Sequence, residues 1–478
     1  MYRQNYFIYW LVLLFFLFVN VSGGDQKIPF PEALSDASIK VDNLDDILNG
    51  ALILGNGDIN SLVYSDEGSI VMHLTKNNVW DARLITKDDP PIPTIDLIKQ
   101  LGASDSAFPL KTNNSNFVLP EGATWEGKDS YHTEAYPCPR QCARITIEVK
   151  ENVTDFNGEV DLRRAVAKVQ GKETPMKPVQ IRALANRNVF LVESADQVVL
   201  EPVKSKGLPE IVTGVTDKVT WLKQEIPGDL DWLGMEFAVA VALNGNLKAI
   251  AIVSSIESDD VVGDAIELAK ETVEAEPALL ISDHESEWDK FWSRSGIEMD
   301  NQFLQSTWYR SLYFLRCFSK PGVQSVGLFA GLINDVPAWH GDYHTNYNIQ
   351  QTYWAAYPSN HPEIAEPYDR LISEYLTRGK WLSEKVFSMD GAYYPHVMYA
   401  YEPSDPAKCK SRNGRQYIHH TWGYTLGVSG FAIQPLWWRY KYDPDVERLK
   451  NRVYPVVREV ATFYAEFIEQ CAVSYTHL

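Results

Sequence analysis

From about Ser38 to Ile281 the apolar residues fall in short runs rich in Val, Ile and Thr, among them SIVMHL, ARITIEVK, NVFLVESA, MEFAVAVAL and KAIAIVSS. Clusters of Gly, Asn, Asp and Pro, the residues of turns, separate them. Short strands at regular spacing with no helical period between them predict a β-sandwich over residues 38–281. The period then changes. In DHESEWDKFWSRS, Asp283 to Ser295, Trp288 shares a helix face with Phe291 or Trp292, so residues 282–300 are expected to form a helical linker. After Asn301 the spacing is helical: Leu304, Trp308, Leu312 and Leu315 recur every three or four positions, as do Val446, Leu449, Val453, Val457, Val460, Tyr464 and Phe467. A helix from about Glu363 is expected to stop at Gly379, a residue suited to C-terminal capping, and another to run from about Trp422 to Tyr440.

The two ends have a different character. Arg3 precedes an apolar run from Phe7 to Val19, followed by small residues up to Gly23 and Gly24, so residues 1–24 read as a signal peptide and the protein as secreted or lumenal. The run is short for a bilayer span, which needs about 20 apolar residues, and no membrane association is expected after cleavage. At the other end the helical pattern stops near Gln470, and residues 473–478 read as a non-native tail outside the helical domain of 301–472.

Composition narrows the function classes. A net charge of −19 would repel a phosphate backbone, which excludes nucleic acid as a partner. The 14 Trp and 25 Tyr exceed what a core needs, and such residues commonly line binding surfaces. Cys138 and Cys142, in YPCPRQC, are spaced to close a small disulfide loop in an oxidising compartment. Asn113 and Asn152 begin glycosylation sequons, in keeping with export. No GxSxG elbow, P-loop or HExxH is present, so esterase, nucleotide and zincin chemistry lose their usual support.

The densest chemistry lies in PAWHGDYHTNYNIQQTYW, Pro337 to Trp354, with two Trp, three Tyr, two His and an Asn-x-Asn pair but few aliphatic side chains. Aromatic faces stack on the C–H faces of a pyranose, while amides, carboxylates and imidazoles bind its hydroxyls, so a glycan is the expected partner. Trp339, His340, His344, Tyr353 and Trp354 are the candidate substrate contacts. His419, His420 and Trp422, in IHHTWGY, are candidates for a second wall. His340 and His344 straddle Asp342 as hydroxyl binders, and neither a metal nor a cofactor is expected.

Three segments together resemble glycoside hydrolase family 95, the α-L-fucosidase and α-L-galactosidase family of the six-hairpin glycosidases. They are the GNG turn and Trp80-ending strands of Leu52 to Arg83, the NGEVDLRRAVAKV segment of Asn157 to Val169, and the HTNYNIQQTYW string with Asn346, Asn348, Tyr353 and Trp354. The resemblance implies a β-sandwich followed by a partial (α/α)6 barrel and an inverting hydrolysis of an α-linked terminal fucose or related sugar. It also implies that Asn346 and Asn348 hold the attacking water together with a carboxylate from a later loop, past Leu478.

The string expected to carry the family's general acid reads Trp437, Trp438, Arg439, Tyr440, and an indole cannot serve as that acid. Asp342, walled by aromatic residues, is the local substitute; Glu402, in YAYEPSDP, reads as a solvated loop carboxylate. Two further readings accompany hydrolysis: a carbohydrate-binding pseudoenzyme that lacks the acid, and a glycoside phosphorylase, which would need basic residues near the Asn pair.

Overall fold

A computed structural model of the chain describes residues 27–86, 92, 94–96, 117–118, 124–125, 135–150, 153–173, 175–328, 332, 337–416 and 424–475. The signal peptide, both sequon asparagines, His419, His420, Trp422 and residues 476–478 lie outside the described residues.

The N-terminal part is an antiparallel β-sandwich. One sheet has nine strands, in the order Ile39–Val41, Phe156–Asp161, Val166–Gly171, Val179–Ala183, Val189–Glu193, Leu247–Ser254, Gly234–Asn244, Val219–Pro227 and Val212–Thr216. The other has five, in the order Gln197–Glu201, Cys138–Glu148, Ser69–Asp81, Ile59–Asp66 and Leu52–Gly55. Alternation sorts the side chains: Val239, Val241, Ile250 and Ile252 join Ile70, Met72, Ile145 and Ile147 in the core between the sheets.

The intervening residues Ala238, Ala240, Ala249 and Ala251 point the other way and are also buried. A helix that the strand-like pattern did not announce, α1 (Val261–Glu274), covers them, and their small size lets its backbone approach. Asp260 caps α1 by accepting from the Gly263 amide at 3.0 Å.

The Cys138–Cys142 disulfide does not form. Both thiols are buried on one extended strand and are not bonded to each other. Four residues of strand separate them by about 13 Å, twice the reach of a disulfide.

Helix α2 (Pro277–Trp292) joins the sandwich to a helical domain, with Trp288, Phe291 and Trp292 all buried. The Trp292 indole donates to the Leu162 carbonyl at 2.9 Å. Helices α3 (Gln302–Phe318), α4 (Asn348–Trp354), α5 (Glu366–Glu374), α6 (Leu376–Leu382), α7 (Val428–Tyr442) and α8 (Tyr454–Tyr475) follow. The family-type GNG turn docks on the end of α3: Gly57, at φ 96°, donates to the Cys317 carbonyl at 2.7 Å.

Gly379 does not end a helix. It lies inside α6, where a Cβ would come within 3.1 Å of the Tyr393 carbonyl oxygen, and the chain winds on through a π turn to Ser388, whose φ of 55° stops it. The helix expected from Trp422 is described from Val428, and α8 runs on to Tyr475. No helix among the described residues is long and apolar enough to cross a membrane.

Candidate functional site

The 337–354 stretch folds as a turn, a two-residue strand and a helix start. Trp339 (φ 51°), His340 (φ 54°) and Gly341 (φ 63°) are successive left-handed residues, a costly conformation for the first two. The turn is held by close packing: a Cβ on Gly341 would lie 2.8 Å from Pro139, and one on Gly327 only 2.1 Å from the Gly341 carbonyl oxygen. It leaves Trp339 half-exposed and turns Asp342 inward. Tyr343 and His344 then pair antiparallel with Met398 and Val397, which brings His396 edge-on to His344 at 5.4 Å between rings. Asn348 is the first residue of α4, as the family resemblance implied for the Asn pair.

Asp342 and Asn348 line one cavity of about 470 Å³, together with Ser319, Thr352 and a wall that includes Phe314 and Phe318. Its volume suits a small-molecule site, for which about 300–1,000 Å³ is usual. The walls differ from the expected polar, aromatic pocket. One wall comes from α3, whose Ser311, Phe314, Leu315 and Phe318 form a second stripe beside the buried Leu312. The breadth of that apolar arc was the signal in the sequence, and it reads as ordinary core packing.

Burial pushes the Asp342 carboxyl up to about 6, against the opposing pull of a hydrogen bond from His344 Nδ1. The carboxyl is 3% exposed and the imidazole 13%. Trp339 packs on His344 at 5.7 Å between rings, so Trp339, His344 and Asp342 are in one contact chain, of which Asp342 lines the cavity. His396, absent from the sequence-based candidates, is pushed down to about 4 by burial and by His344.

Other expected contacts lie elsewhere. His340 is buried beside Tyr136 at 5.1 Å. Tyr343 and Tyr353 are fully buried and share Ser325: the Tyr343 hydroxyl donates to its carbonyl at 2.8 Å, and the Tyr353 hydroxyl bonds its Oγ at 2.9 Å. Trp354 stands six residues after Asn348, about 240° round the helix and away from the cavity face. There it packs against Phe431 and Trp438. Asn346 is exposed and Asn348 half-buried.

Glu402 is not solvated. Its side chain is 5% exposed with Arg378 Nε at 3.7 Å, and burial raises the carboxyl to about 7. It is not among the described residues lining the cavity. No group of three His, Cys, Asp or Glu among the described residues is placed to hold a metal ion.

Residues 278–476 match the Glycosyl hydrolase family 95 catalytic domain. Alpha-L-fucosidase 2 of Arabidopsis thaliana is 23% identical over 172 residues, which are 36% of this chain and 19% of that protein. An alpha-fucosidase A of Aspergillus niger is 22% identical over 129 residues, 27% of this chain and 15% of that protein. The matched stretches thus span less than a fifth of either relative. Among solved structures, one described as a kojibiose phosphorylase from the human microbiome aligns with a TM-score of 0.52 at 13% identity, over 92% of this chain and 56% of that one. At that identity the likeness bears on the fold, a β-sandwich followed by a helical domain.

Proposed function

We propose that the protein, whose residues 278–476 match a family 95 catalytic domain, is a secreted glycoside hydrolase that releases an α-linked terminal fucose or related sugar from glycans with inversion. The observation that carries the reading is that Asp342, a buried carboxyl raised to about 6, shares a cavity with Asn348. An acid must still hold its proton at working pH, and a carboxyl near 6 does so far better than one at its ordinary value. In this reading Asp342 protonates the departing glycosidic oxygen as the bond from the anomeric carbon breaks. The amide oxygens of Asn348 and Asn346 orient the water that attacks from the opposite face. Trp339 and His344 hold the sugar at the rim, with Tyr353 and Trp354 supporting α4 from behind.

Release of sugar from aryl α-L-fucosides and fucosylated oligosaccharides tests the reading. Turnover that Asp342→Asn abolishes supports it. Saturable binding of the same oligosaccharides without release by the wild type sinks the hydrolase. That outcome would favour a second reading, a glycan-binding protein without turnover. One observation points that way: Asp342 is the only carboxyl among the described residues lining the cavity, and inversion needs two.

A further inference from the structure

The Asp342 carboxyl and the His344 imidazole form a pair built by the strained turn and the short strand that follows it. Tyr343, between them, is locked by its hydroxyl bonds to Ser325 and Gln324, which fixes the residues on either side. The carboxyl, which faces the cavity, is 3% exposed, while the imidazole bonded to it is 13% exposed. A buried acid that gives up its proton each turnover needs a route by which to recover it. Among the described residues lining the cavity with Asp342, Phe314, Leu315, Phe318, Val326 and Ile349 are apolar, and Ser311, Ser319, Thr352 and Asn348 carry hydroxyls or an amide that do not titrate in the working range, whereas the His344 imidazole does and is bonded to the carboxyl.

We propose that His344 is the proton-exchange partner of Asp342, returning a proton to its carboxylate after each bond cleavage and taking the next from solvent at the rim. The inference rests on the reading of Asp342 as the acid. In the step itself the Nδ1–H bond of the imidazolium breaks and an O–H bond forms at Oδ1. The imidazole is left neutral with its remaining hydrogen on Nε2; exchange with solvent moves that hydrogen to Nδ1, and a solvent proton then adds at the vacated Nε2. His344 does not touch the glycosidic bond, so it is a positioning and relay residue.

His396 is the titratable neighbour across the short sheet. Burial and the neighbouring His344 push its proton affinity down to about 4, so the ring across the sheet stays neutral through the working range. On Asp342, burial acts upward and His344 alone acts downward.

The test uses the full chain with carboxyl-carbon NMR of Asp342, which reads the pair whether or not a substrate is known. Because His344 lowers the proton affinity of Asp342, His344→Ala is expected to raise the Asp342 midpoint by about one pH unit, a tenfold gain in affinity. An unmoved midpoint overturns the pairing. His344→Asn keeps an N–H donor near the place of Nδ1 without titrating, and serves if the Ala variant fails to fold.

The second arm is kinetic. On an aryl α-L-fucoside, His344→Ala is expected to lose at least about tenfold in kcat with little change in KM, and to regain turnover when imidazole is added to the buffer. A merely structural role would not give that rescue, so its absence in a folded, active variant overturns the relay. A wild type with the coupled midpoint but no turnover of any fucoside instead sinks the hydrolase reading and leaves the pair standing.

Discussion

The indole of Trp438 lies 5.9 Å from that of Trp354, tilted by 56°, on the face of α4 that points away from Asn348. Tyr357 also packs edge-on against Trp438, at 6.0 Å between rings. Position 438, where the resemblance leads one to look for an acid, is therefore part of the packing between α4 and α7. Truncation there should act on stability: Trp438→Ala is expected to cost about 3 kcal/mol in urea unfolding, the scale of a large-to-small change in a packed cluster. Trp438→Glu, which restores the family's residue, should lose stability as well and gain no glycoside turnover. A tenfold rise in kcat for that variant would put position 438 back in the site.

Asn346 and Asn348 are equivalent in the motif but not in the fold. Only Asn348 lines the cavity with Asp342, while Asn346 is exposed on the turn before α4. Asn348→Ala is expected to reduce turnover of an aryl α-L-fucoside by at least about a hundredfold, the scale of losing one oriented polar group at a reacting centre. Asn346→Ala should reduce it about tenfold or less. If no substrate turns over, the same ranking should hold for sugar affinity by calorimetry. Equal losses at both positions would contradict the exposure difference.

These contrasts show what the sequence could carry. The run MEFAVAVAL is legible as a strand, because β-branched residues at alternate positions have only one reasonable use. That its alanines face a helix is not legible, since Ala238 and Ala240 would suit a second sheet equally well. The stretch around Asn346 and Asn348 is legible as a site because few aliphatic residues interrupt its polar and aromatic side chains. Which of those aromatics face a ligand depends on partners far along the chain. Ser325 claims the hydroxyls of Tyr343 and Tyr353, α7 claims Trp354, and α3 supplies one wall of the cavity. Gly379 misleads for a related reason: it gives room to the 392–394 segment, a close approach that no local pattern encodes.

Asp369, on α5, should make the protein less stable in alkali. Burial raises its carboxyl to about 7, partly offset by Arg439 and Arg448, and its Oδ1 has no hydrogen-bond partner. The folded state thus holds a proton that the unfolded chain releases from about pH 4 upward, so stability falls as pH rises from about 4 to about 7 and then levels. Asp369→Asn removes that dependence at nearly constant shape. Relative to wild type, the variant is expected to be more stable at pH 8 than at pH 4, by up to about 4 kcal/mol. Urea unfolding at the two pH values reads the difference, and a gap that does not widen with pH would mean that Asp369 ionises in the folded state at its ordinary value.

His284 sets the opposite slope on the acid side, at the junction of α2 with the sandwich. Its Nε2–H donates to the Arg164 carbonyl at 2.8 Å and its Nδ1 accepts from the Ala185 amide at 3.2 Å, so both nitrogens are used by the neutral ring. Burial disfavours the charged ring and pushes the group down to about 4, and a second proton on Nδ1 would also face the Ala185 N–H. Between about 6.5 and 4 the unfolded chain takes up a proton that the folded one refuses. The stability contributed by the neutral ring is therefore whole above pH 6.5 and is lost as pH falls towards 4, by up to about 3 kcal/mol. His284→Gln, which can keep one of the two bonds and does not titrate, is expected to be the less stable protein at pH 7.5 and to close most of that gap by pH 4. Because Trp288 and Trp292 are buried on the same helix, their fluorescence reports this unfolding directly. A variant whose deficit is constant from pH 7.5 to 4 would show that the acid-side loss arises at another group.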